Sequence, residues 1–95
     1  MYDAFRHLVR EHVYDKCWLL DITWAEVERL LDGGEVVEQH LLGDGDVKEI
    51  RLLLEWVRPL HVVYVVSERL RLVVYRTLYE PDTEHWHPGF RERRR

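Results

Sequence analysis

His12 and Lys16 stand four residues apart, one turn of a helix. A histidine titrates near neutral pH and can take or give a proton. A lysine on the same helix face can hold an anion. Together they suit phosphodiester transfer without a metal: the imidazole takes the proton of a 2′-hydroxyl and the ammonium holds the phosphate. The same spacing also suits a half-buried histidine bonded to backbone, with lysine reaching past it. His61 follows Pro59 at the start of a valine-rich run and is the second acid–base candidate. Arg58 is a candidate phosphate clamp, because a guanidinium matches a phosphate bidentately. Tyr75, Thr77 and Tyr79 alternate along the last apolar run. As a strand they would share one face, where threonine and tyrosine can orient a substrate and tyrosine can stack on a base. Arg76 would point the other way and, with Arg69 and Arg71, supply cations for a structured nucleic acid.

Other chemistries lack their residues. There is no P-loop, no G-x-G-x-x-G, no serine elbow and no H-E-x-x-H. His85-Trp86-His87 offers two imidazoles, but a metal site needs a third or fourth convergent ligand. Neither a metal nor another cofactor is expected. Cys17 falls on an apolar stripe near a helix end, where a thiol is core and not nucleophile.

These side chains must be positioned by a small fold. Phe5, Leu8, Val9, His12, Val13 and Cys17 recur at spacings of three and four, which predicts an amphipathic helix from about Tyr2 to Cys17. Thr23-Trp24-Ala25-Glu26 is a capping box and predicts a second helix, closed at Gly33-Gly34 by glycine in a left-handed conformation. The period then changes to two. Strands are expected over Glu35–Leu42, Val47–Val57, Leu60–Val66 and Leu70–Tyr79, with a turn at Gly43–Asp46 and a break at Arg58-Pro59. Short connections imply an α+β domain: two N-terminal helices, then a four-stranded antiparallel meander. The last apolar runs lie at the expected sheet edge, which predicts a symmetric homodimer unless the tail carrying Trp86 covers it.

Ninety-five residues form one domain, spanning 1–95, with a C-terminal tail from about 84. Apolar residues make up 46% and charged residues 34%, a globular composition and not a disordered one. No apolar run approaches the roughly 18–20 residues of a membrane span. One cysteine allows no internal disulfide and fits a reducing cytoplasm. The net charge of −4 is unevenly spread. Residues 1–50 carry 5 basic and 12 acidic side chains, and residues 51–95 carry 9 and 6. An acidic chain is a poor general binder of nucleic acid, so that role must rest on local arginines.

Five segments, in order, resemble the bacterial and archaeal family labelled DUF 4258. They are His12-x-x-x-Lys16, Ile22-Thr23 opening a helix, Gly34-Glu35-Val36-Val37-Glu38, Arg58-Pro59-Leu60-His61-Val62-Val63, and Thr77-Leu78-Tyr79-Glu80-Pro81-Asp82 with Trp86. Lys16 stands where the family typically has arginine. The resemblance implies a fold like that of RelE-type and MqsR-type toxins. It implies metal-independent endoribonuclease activity within a toxin–antitoxin pair, with RNA and a small antitoxin protein as partners. His12, Lys16, His61 and Tyr79 would then be catalytic, and Arg58, Thr77 and Arg76 would bind substrate. The alternative is a non-catalytic interaction module that pairs with a partner or with itself.

Overall fold

The computed structural model describes residues 1–95. Its elements run β1 (Arg6–Val9), α1 (Glu11–Leu20), α2 (Trp24–Leu30), β2 (Glu35–Leu41), β3 (Val47–Leu53), β4 (Leu60–Ser67) and β5 (Leu72–Tyr79). A single 3-10 turn, Leu31–Gly33, follows α2. The five strands form one sheet in the order β1-β5-β4-β3-β2. Strands β2 to β5 make an antiparallel meander, and β1 joins β5 in parallel. No helix is long and apolar enough to cross a membrane.

Two features of the expected fold are corrected here. The sheet has five strands and is mixed, and its first strand precedes both helices. Residues 6–9 fit a helical stripe, yet they are extended because distant backbone offers them partners. The Arg6 amide donates to the Arg71 carbonyl at 3.0 Å, and the Arg10 amide donates to the Tyr75 carbonyl at 3.2 Å. Periodicity within a short segment cannot report a partner so far along the chain. The second correction concerns the edge. Strand β4 is central and β1 covers β5 along Leu72–Tyr75, so the expected open edge is reduced to the end of β5 beyond Tyr75.

Local chemistry explains the helix ends. Thr23 caps α2, its hydroxyl accepting from the Glu26 amide at 3.1 Å. Helix α1 ends at Asp21, which takes a left-handed φ of 58° and returns its amide to the Cys17 and Trp18 carbonyls. Gly34 is not left-handed; its φ is −82°. It is glycine because a Cβ there would lie 2.6 Å from Leu53 Cδ2 and 2.7 Å from Arg51 Cγ.

The sheet is covered on both faces. The helices bury Val13, Cys17, Ile22, Val27 and Leu31 against Leu60, Val62, Tyr64 and Val66 of β4 and Val73, Tyr75 and Leu78 of β5. On the opposite face, the segment after β5 folds back and seats Trp86 on Ile50 and Val63, flanked by Val37, Tyr79 and Phe90. That segment is ordered by its own backbone. Asp82 Oδ1 accepts from the Glu84 and His85 amides, each at 2.9 Å. The His87 amide donates to Glu92 O and the Arg94 amide to His85 O, each at 2.8 Å. Two ion pairs tie it to β2: Arg91 with Glu35 at 3.0 Å and Arg93 with Glu38 at 3.0 Å.

Candidate functional site

Strand β1 pairs with β5 only as far as Tyr75, so the remainder of β5 has an open edge. The first turn of α1 lies beside it. There His12 Nε2 meets Thr77 Oγ1 at 3.1 Å. His12 is exposed and Lys16, one turn on, is half-buried. Arg10 immediately precedes α1, and its amide bond to the Tyr75 carbonyl brings its backbone against the strand just before Arg76. Arg10, Lys16 and Arg76 take part in none of the ion pairs of the structure. An exposed imidazole is thus bracketed along the chain and along the strand by three unpaired cations.

A β-bulge decides which side chains of β5 join it. Val63 pairs with Thr77 while Tyr64 pairs with Tyr75, so Arg76 is an extra residue on β5. The expected shared face of Tyr75, Thr77 and Tyr79 is therefore corrected. Tyr75 turns into the helix-side core, whereas Tyr79 packs with the opposite cluster. The Tyr75 hydroxyl lies 2.8 Å from His7 Nδ1. His7 Nε2–H donates to the Tyr2 carbonyl at 3.0 Å, which leaves Nδ1 to accept from the tyrosine.

His61 faces Tyr79 across the β4–β5 ladder and is fully buried. Its Nε2 lies 2.9 Å from the Phe90 carbonyl, which can only accept, so the proton sits on Nε2. Its Nδ1 then accepts from the Tyr79 hydroxyl at 3.2 Å. The ring is edge-on to Trp86, with centroids 4.4 Å apart. Burial lowers the His61 pKa, and burial also raises that of Tyr79. The imidazole is neutral, doubly bonded and sealed beneath the C-terminal segment. Arg58 is elsewhere: its Nε pairs with Glu80 at 3.0 Å, its Nη2 donates to the Leu20 carbonyl at 3.4 Å, and it lies over Trp56. The structure thus brings together His12 with Thr77 and, separately, His61 with Tyr79. No hydrogen bond or ion pair joins Arg58 to either histidine.

The state of His61 has a pH consequence. The folded protein refuses a proton that the unfolded chain accepts below about pH 6.5. The unfolded state then binds more protons, so stability falls as pH drops through and below that value. Urea midpoints measured from pH 7.5 to pH 5 should decline on this account. His61→Gln keeps a donor for the Phe90 carbonyl and should be less stable but flatter with pH. An unchanged slope in that variant would refute the assignment.

No family model matches the chain. No curated protein and no solved structure matches it either. The resemblance to DUF 4258 thus rests on the five sequence segments themselves. No three His, Cys, Asp or Glu side chains converge as metal ligands.

Reading the sequence missed Arg10 as a neighbour of the His12 edge, because the backbone bond that puts it there is made to Tyr75. It also missed Glu49, a buried carboxylate on β3. Glu49 accepts from the Tyr2 hydroxyl at 2.8 Å, the Tyr64 hydroxyl at 2.9 Å and Gln39 Nε2 at 2.6 Å. Arg51 Nε donates to the Tyr64 hydroxyl at 3.0 Å, and its Nη1 holds the Leu31 and Gly34 carbonyls. Burial and the bond to Glu49 push the Tyr2 pKa up to about 12. No buried side-chain polar atom in the protein lacks a partner, and this closed network serves to fasten the N-terminal segment to the sheet. Period-two alternation marks Glu49 as one face of a strand, but nothing local says that face is covered.

Proposed function

We propose that the chain is a toxin-type domain that cleaves RNA without a metal at the His12 edge, in a reducing cytoplasm and under the control of an antitoxin-like protein. One observation carries this reading: the exposed His12, set by Thr77 at the open end of β5, with Arg10 and Lys16 near it along the chain and Arg76 next to Thr77 on the strand. In the reaction, His12 takes the proton of a ribose 2′-hydroxyl. The 2′-oxygen attacks the adjacent phosphorus, and the P–O5′ bond breaks. The products are a 2′,3′-cyclic phosphate and a 5′-hydroxyl, whose proton comes from a neighbouring acid or water. Lys16 and the arginines offset the charge that builds on the phosphoryl oxygens. Tyr79 is bonded to the sealed His61, so this reading leaves those two outside the chemistry.

Electrostatics limits the substrate. Affinity for nucleic acid regardless of sequence comes mainly from phosphate neutralisation. A net charge of −4 supplies little of that, so free RNA is held poorly and a structured or ribosome-bound RNA is the fitting target. Expression in a bacterial host tests the reading, comparing wild type with His12→Ala for growth arrest and RNA integrity. Arrest with cleaved RNA in the wild type alone supports it. Equal growth with intact RNA in both, or arrest that survives His12→Ala, overturns it.

A second reading, a non-catalytic interaction module, is favoured by a different observation. Trp18 on α1 is 83% exposed, an unusual position for so large an apolar side chain.

A further inference from the structure

We infer that the outer face of the helical layer docks a cationic amphipathic helix of a partner protein. This inference takes from the interaction reading only the exposed face of α1 and not the absence of catalysis, so it is independent of the His12 chemistry. Helix α1 buries only Val13 and Cys17. It leaves Tyr14, Trp18 and Leu19 in solvent, Leu19 at 71% exposure. Tyr14 and Trp18 are four residues apart and form one ridge on the helix surface. Single exposed apolar residues are ordinary, but a tyrosine and a tryptophan on one ridge, with Leu19 exposed about a quarter-turn round the same short helix, make its outer side unusually apolar. Tryptophan and tyrosine are also the side chains on which protein interfaces concentrate their affinity.

The patch continues past the helix. Trp18 lines an open groove of about 600 Å³ with Cys17, Ile22 and Thr23, and Asp21 and Glu26 form its charged rim. At the same end of α1, Arg58 holds the Leu20 carbonyl, which brings the loop after β3 alongside. That loop carries the exposed Leu54 and Val57.

Charge selects the occupant. Of the six carboxylates in residues 11–32, Asp32 is paired with the N-terminal ammonium at 2.6 Å, which leaves Glu11, Asp15, Asp21, Glu26 and Glu28 against Lys16 and Arg29, a net charge of −3. A second copy of the same helical layer would set −3 against −3, which opposes self-association. An apolar ridge within an acidic surround fits a helix with aliphatic residues on one face and Lys or Arg beside them. Complementary charge also speeds encounter and makes binding salt-sensitive.

A fluorescein-labelled Leu/Lys amphipathic peptide of about four turns is the probe, titrated with the full chain and read by anisotropy. A Leu/Glu peptide of the same pattern is its counterpart. The Leu/Lys peptide should bind, more weakly as salt rises, and the Leu/Glu peptide should not. Trp18→Ala should weaken binding by roughly tenfold or more, the loss expected of an interface anchor. Leu41→Ala, at an exposed apolar residue of β2 on the opposite sheet edge, should leave it unchanged. Both variants alter exposed side chains, and circular dichroism checks that they fold. Any of three results overturns the inference: no binding of the Leu/Lys peptide, equal binding of the two peptides, or equal binding by Trp18→Ala. Light scattering that shows a dimer abolished by Trp18→Ala would also overturn it, by making a second copy the occupant. None of these results touches the His12 reading, which growth and RNA integrity test separately.

Discussion

His12→Ala should lower cleavage of a structured RNA by about 10²–10⁴-fold, the usual range for a lost general acid or base. The argument for a large effect is positional. His12 is the one histidine that is both exposed and hydrogen-bonded to a candidate substrate-binding side chain at the open end of β5. His61 cannot substitute for it, since both its nitrogens are engaged beneath the C-terminal segment. Thr77→Val removes a single hydrogen bond to His12 and keeps the shape of the side chain, so its cost should be roughly tenfold or less. Lys16→Arg should preserve or raise the rate. A guanidinium can hold a phosphate bidentately, and arginine is what the family resemblance leads one to expect there. Single-turnover rates on one RNA, with binding measured separately, give the comparison. A His12→Ala rate within about twofold of wild type would remove His12 from the chemistry.

The parts of this fold legible in the sequence are those determined by near neighbours. Thr23 three residues before Glu26 announces a helix start, and the cap bond is there. Gly43 to Asp46 announces a turn, and β2 and β3 pair across it. Leu60 to Val66 is a strand because branched side chains fill both faces of a covered sheet, and β4 is central. What could not be read depends on partners far along the chain. Strand β1 exists because residues 71–75 offer it a ladder. The bulge at Arg76 comes from the register against β4, and it alone separates Tyr75 from Thr77 and Tyr79.

The candidate site shows the same division. The spacing of His12 and Lys16 was visible, and an α-helix does carry both. The partner of His12 was not, because Thr77 lies 65 residues away. His61 looked like a second catalytic base from its type and its place beside a proline. The covering segment makes it the best-sealed histidine of the chain, and no local signal foretells that the residues around Phe90 will lie on top of it.

That covering segment should be part of the cooperative fold, and Trp86→Ala tests it. Trp86 is only 2% exposed. It packs on Ile50 and Val63 and lies edge-on to His61, with the Arg93 guanidinium 4.5 Å above its ring. Truncating a buried tryptophan costs about 3–5 kcal/mol, from lost apolar contact and the cavity left behind. Of the two Arg–Glu pairs that tie the segment to β2, Arg91–Glu35 is largely solvated and contributes about 0–1 kcal/mol, while Arg93 holds the more buried Glu38 bidentately but stands over the Trp86 ring and loses that support with it. Domains of this size have total stabilities of about 5–15 kcal/mol, and a loss of 1 kcal/mol lowers Tm by roughly 4–8 °C. Trp86→Ala should therefore lower Tm by at least about 12 °C, or leave the chain unfolded at room temperature. Trp18→Ala is the matched control, the same substitution at a side chain in solvent, and should change stability by no more than about 0.5 kcal/mol. Urea unfolding followed by circular dichroism measures both. If Trp86→Ala cost less than about 1 kcal/mol, the segment after Tyr79 would be a loose appendage. His61 would then be open to solvent, and the reason for denying it a part in the chemistry would be gone.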